Sequence, residues 1–135
     1  MEEQYIKFET AKLAKEKGFD IVTMKYFNSE EDLIIPKEHE IEYYPYQPVN
    51  HNKQQYNWSR PTQALLQRWL REVHNIIVII DTNMMYTDLD ISYTYFVSNY
   101  TKNSWNNLWG ELALRTYEET LEVGLQKGLE LIDIK

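Results

Sequence analysis

The chain has 135 residues, 43% apolar and 26% charged, with a formal net charge of −7. That is the size of one ordinary domain with enough apolar surface for a core, which argues against global disorder. Its 14 basic against 21 acidic residues argue against nucleic-acid binding as the main role, and the absence of cysteine removes disulfides, thiolate nucleophiles and Cys-based zinc sites.

A first helix is expected over residues 3–17, where Ile6, Thr10, Leu13 and Ala14 form one stripe. Gly18 follows as a left-handed cap, and Phe19 folds back on the last turn. Ile21–Phe27 reads as a strand in which Val22, Met24 and Tyr26 alternate with Thr23 and Lys25. Residues 28–32 read as a turn, and Leu33–Ile35 as a short second strand stopped by Pro36. Residues 36–60 have no clear period and contain Pro36, Pro45 and Pro48. They read as one long irregular loop, of the kind that is usually functional or mobile.

A second helix opens after Pro61, with Leu65, Leu66, Trp69, Leu70 and Val73 as its buried stripe and His74-Asn75 as its end. Ile76–Ile80 is apolar throughout and reads as a strand covered on both faces. Asp81-Thr82-Asn83 reads as a turn, and Ile91–Val97 as an alternating strand. Lys102-Asn103-Ser104 and Asn106-Asn107 mark another turn region, followed by a candidate last strand at Leu112–Leu114. Thr116 and Glu119 form a capping box that opens a helix over 117–132, with Leu121, Gly124, Leu125, Gly128, Leu129 and Ile132 buried. The expected fold is α+β in a single domain over 1–135. One mainly antiparallel sheet of four to five strands carries about three helices, in the order α-β-β-loop-α-β-β-(β)-α.

Little in the chain forms a recognisable chemical constellation. His39 lies in an acidic stretch, Glu38 to Glu42, that offers oxygen and imidazole ligands, but it lacks the helical His-x-x-x-His spacing of a metal motif. His51 and His74 stand apart from it. Asp81, Asp88 and Asp90 read as turn and strand-flank acids. Four glycines do not make a phosphate-cradling loop, and no serine sits in a Gly-x-Ser-x-Gly elbow. No catalytic residue, cofactor or metal is expected. The unusual feature is aromatic: 11 Tyr and 4 Trp, with Tyr43, Tyr44, Tyr46, Tyr56 and Trp58 gathered in the long loop. Such a segment either supplies rigid amphipathic contact area or closes over the core as a lid.

Residues 61–76, running from Pro61 through Trp69 to Ile76, resemble a run found in small uncharacterised proteins of gut bacteria and their phages or prophages. Tyr117–Leu125 with Leu129–Ile132 resembles the C-terminal run of the same group, and Leu13–Asp20 its N-terminal helix. The resemblance implies a mobile-element context and carries no activity or site residue with it.

The leading expectation is a non-enzymatic accessory protein acting through protein contacts. Its surface would combine Tyr43, Tyr44, Tyr46, Tyr56 and Trp58 with Arg68 and Arg71 on the second helix. The alternatives are a metal-binding protein or enzyme using His39, His51 and nearby carboxylates, and a nucleic-acid binder using Arg60, Arg68 and Arg71. A membrane partner is not expected, since the longest strongly apolar run is Ile76–Ile80. An acidic start without an apolar signal core points to the cytoplasm. Homo-oligomerisation stays open.

Overall fold

The computed structural model describes residues 3–27, 33–34, 48–84, 91–99, 106–109 and 116–132. Their architecture is α+β, with three α-helices and two three-stranded antiparallel sheets among the described residues. The backbone divides into two compact units, Tyr5–Thr62 and Met1–Gln4 with Gln63–Lys135. The expected single sheet is replaced by one small sheet in the first unit and a longer one in the second.

In the first unit, helix α1 spans Phe8–Glu16, beginning five residues later than expected. Residues 5 and 6 stay extended because their backbones pair elsewhere. Tyr5 bridges Thr62, and the Ile6 N–H donates to the Pro61 carbonyl at 3.2 Å. The helix ends as the sequence predicts. Gly18 sits at φ +89°, its N–H donates to Lys15, and the Phe19 N–H reaches back to Ala14 at 3.0 Å. Phe19 is then fully buried, as are Ile6, Thr10, Ala11 and Ala14.

Strand β1 is only Tyr26–Phe27, flanked by β2 (Leu33–Ile34) and β3 (Trp58–Ser59). The expected inward row is inverted: Thr23 and Phe27 are buried, while Val22 and Met24 are exposed. A bridge between Thr23 and Val49 fixes that parity, so pairing overrides hydropathy along this stretch. The described end of the expected loop is also structured. It holds a 3₁₀ turn at His51–Lys53 and β3, elements too short for periodicity to reveal.

In the second unit, helix α2 spans Gln63–His74, and Asn75 takes a left-handed conformation (φ 56°) that stops it. Leu66, Trp69 and Leu70 are buried as expected. Leu65 is only half-buried, and Val73 is exposed because the inward face turns through Gln63 instead. The Gln63 amide donates to the Glu118 carbonyl at 2.9 Å and to Glu122 Oε1 at 3.0 Å, tying α2 to the third helix.

Strand β4 runs Ile76–Met84 and pairs along its whole length with β5 (Ile91–Asn99). Asp81-Thr82-Asn83 is therefore strand and not turn, held by partners Thr94, Tyr93 and Ser92. Coverage of β4 is one-sided: Ile76 and Val78 are buried while Ile79 is 46% exposed. Strand β6 (Asn106–Trp109) occupies the expected Asn106-Asn107 turn, pairing with Phe96–Asn99. The candidate strand at 112–114 lies outside the described residues. Helix α3 (Tyr117–Glu130) opens with the Glu119 N–H donating to Thr116 Oγ1 at 3.1 Å. All six expected stripe residues, Leu121 through Ile132, are buried against β4, β5 and α2.

Candidate functional site

The first unit's residues 48–59 place an aromatic side chain in water on a firmly held turn. Asn50 begins it, its Oδ1 accepting from the Asn52 N–H at 3.1 Å, a local bond that favours a turn over a strand. The Gln54 and Asn57 N–H groups then bond to the His51 and Gln54 carbonyls. Asn52 joins the turn to the rest of the unit. Its Nδ2 donates to the Phe19 carbonyl and its Oδ1 accepts from the Ser59 N–H, both at 2.8 Å.

The second clamp is Lys15. From the last turn of α1, its ammonium donates to the carbonyls of Gln54, Gln55 and Asn57 at 2.6, 3.0 and 2.7 Å. Three donors thus meet three acceptors, the full capacity of an ammonium group. The same ammonium lies 5.2 Å from the centre of the Trp58 ring. Partial burial pushes the Lys15 pKa down from its ordinary value.

His51 completes the clamp from inside. It is buried, stacks on Tyr26 at 4.2 Å, and places Nε2 2.8 Å from the Thr23 carbonyl. Burial pushes its pKa below the ordinary value, outweighing the opposing bonds to the Thr23 and Met24 backbone. Between these clamps stands Tyr56, 62% exposed.

Among the sequence-derived candidates, Tyr56 is an exposed ring on this turn. Trp58 is half-buried in β3, edge-on to Phe8 at 5.1 Å, and works as packing. Tyr43, Tyr44, Tyr46 and His39 lie outside the described residues. Arg60 is held by the unit itself: its Nε donates to the Ile6 carbonyl at 2.9 Å and its guanidinium lies over the Phe27 and Tyr5 rings. Arg68 and Arg71 are exposed on α2 in the second unit, where Arg68 pairs with Glu72 at 3.0 Å. His74 stands edge-on to Trp69 at the end of α2. Among the described residues, no three His, Asp or Glu side chains gather at metal-binding distances, and no helix is long and apolar enough to cross a membrane.

Sequence reasoning missed Lys15 and Asn52. Lys15 reads as one of several cations suited to a helix C-terminus, and its acceptors lie 39 to 42 residues away. No local signal links them. Compared with protein-family models, curated proteins and solved structures, the chain matches none.

Proposed function

We propose that the protein is a non-enzymatic accessory protein acting through protein–protein contact, with the Tyr56 turn as the centre of its contact surface. The observation that carries this reading is a large aromatic, 62% exposed, on a turn already fixed by Lys15, Asn52 and His51. Binding then orders little that was free, which lowers the entropic cost of association. A tyrosine supplies both apolar area and a hydroxyl, the combination favoured where contacts concentrate energy. Tyr43, Tyr44 and Tyr46 are proposed to extend the same surface. A phage or prophage context and a cytoplasmic location are part of the proposal and rest on the sequence readings alone. Arg60 and His51 are already engaged within their own unit, so the nucleic-acid reading is left with Arg68 and Arg71 and the metal reading with His39 and its neighbouring carboxylates.

The test compares the wild type with Tyr56→Ala as bait in lysate of a phage-infected host. The variant is expected to melt within a degree or two of wild type, as a surface truncation should, and to lose a partner that the wild type recovers. Equal recovery by both proteins overturns the assignment of the surface.

A further inference from the structure

Among the described residues, strand β4 is an outer strand of its sheet, which runs β4-β5-β6. Along an antiparallel strand, successive residues turn their N–H and C=O alternately toward one side and the other. Two bonds fix the phase here. The Val78 carbonyl accepts from Gln67 Nε2 at 2.8 Å, and the Thr82 N–H donates to Asp81 Oδ1 at 2.9 Å. Residues 78, 80, 82 and 84 therefore present their backbone groups away from β5. An outer strand of nine residues that begins Ile-Ile-Val-Ile-Ile is one on which a further strand readily adds. Gln67 occupies one position of this edge and Asp81 another.

We propose that the outer edge of β4 is a self-pairing surface for a second copy of this chain, held closed by the Asp81 carboxylate on the Thr82 N–H. The strand's own register accommodates a second copy, and a centre at Asn83 would keep only Thr82 opposite Met84 within the strand. Ladder bonds form only where outward residues face outward residues, which leaves few two-fold arrangements. Centring on Ile80 requires the Val78 carbonyl, which Gln67 already holds. Centring on Asp81 sets that residue against its own copy, and like charges directly opposite destabilise a pair. Centring on Thr82 sets Thr82 opposite Thr82, Ile80 opposite Met84 and Asp81 opposite Asn83. No charge then meets a like charge, and each ladder acceptor is uncommitted by Gln67. In this register each Thr82 N–H donates to the Thr82 carbonyl of the other copy, the bond that Asp81 intercepts. The carboxylate thus decides between a closed edge and one sheet continued across two copies. The surface belongs to the second unit and is independent of the Tyr56 turn.

Analytical ultracentrifugation of the full chain tests this. The wild type is expected to sediment as a monomer from low to high micromolar concentration, and Asp81→Ala to form a concentration-dependent dimer. Adding Thr82→Pro to Asp81→Ala removes an N–H that β5 does not use, and should return a folded monomer, with folding checked by circular dichroism. Should that double variant unfold, amide exchange at Thr82 in Asp81→Ala replaces it: exchange that slows as concentration rises supports the ladder, and concentration-independent exchange overturns it. The proposal also falls if folded Asp81→Ala stays monomeric, if its dimer survives Thr82→Pro, if assembly runs past the dimer, or if the wild type dimerises equally well.

Discussion

A methyl group added at Gly124 would stand 2.8 Å from Val78 Cγ1 and 3.3 Å from Tyr95 Cβ. Both neighbours are stiff, one a branched strand side chain and the other fixed to the backbone. Gly124→Ala should therefore destabilise by about 1–3 kcal/mol of overpacking, less the roughly 1 kcal/mol that alanine gains over glycine in a helix. At Gly128 the nearest atoms are the side-chain ends of Leu70 and Val78, at 3.1 and 3.2 Å. The end of Leu70 is flexible, and at 3.2 Å the stiff Val78 requires a shift of only a few tenths of an ångström, so Gly128→Ala should lie near neutral. Urea midpoints decide it, and equal tolerance at both sites would refute the packing reading. His51 gives a second prediction at this scale. Its folded pKa is depressed by burial, so the unfolded chain takes up the proton first. Its contribution is intact above about pH 6.5 and is lost as pH falls from there through the lower folded value. His51→Gln should lower stability at neutral pH yet flatten the fall in melting temperature between about pH 7.5 and 5.5. A slope identical to wild type would show that other groups carry the acid response.

At the scale of elements, α2 offers a contrast between residues the same stripe groups together. Trp69 is 4% exposed and Val73 is 56% exposed. Trp69→Ala should cost about 3–5 kcal/mol as a large cavity opens, whereas Val73→Ala should change stability by about 0.5 kcal/mol or less. Chemical denaturation of the two variants measures both, and a comparable loss at Val73 would contradict the observed helix rotation. This contrast shows what was legible in the sequence. α3 can be read outright, because Thr116 caps it locally and its stripe repeats over four turns. Gly18 and Asn75 mark helix ends by their own backbone preferences. The strands resist such reading because their limits depend on partners. Asp81-Thr82-Asn83 has turn composition, but nine paired residues of β5 hold it extended. Thr23 is turned inward by its bridge to Val49, and no local pattern announces that bridge. In the candidate site, the concentration of tyrosines in the sequence was visible, while the lysine that holds the turn carrying Tyr56 was not.

For the whole molecule, the question is whether the loop aromatics close a core or meet a partner. Tyr43→Ser, Tyr44→Ser and Tyr46→Ser combined in one chain separate these roles. A contact surface predicts melting near wild type with loss of the partner that Tyr56→Ala also loses. A core lid predicts a large fall in melting temperature, since each buried aromatic truncation costs several kcal/mol in a protein whose total stability is about 5–15 kcal/mol. Scanning calorimetry beside the lysate capture distinguishes them, and a large fall with unchanged capture rejects the contact role. The net charge of −7 adds a salt dependence. Attraction of a basic partner should weaken as salt rises, because charges more than about 8 Å apart are screened at physiological ionic strength.

The Lys15 ammonium, received by three backbone carbonyls, has the arrangement of an ion in a coordination shell, except that this ion is covalently attached. Loops built around a diffusible ion fill and empty with its concentration, and so report on it. A tethered ion is always present at high effective concentration. The turn that carries Tyr56 is accordingly insulated from the ionic composition of its surroundings. On the proposed function, that makes it a constitutive display and not a sensor, ready from the moment the chain folds.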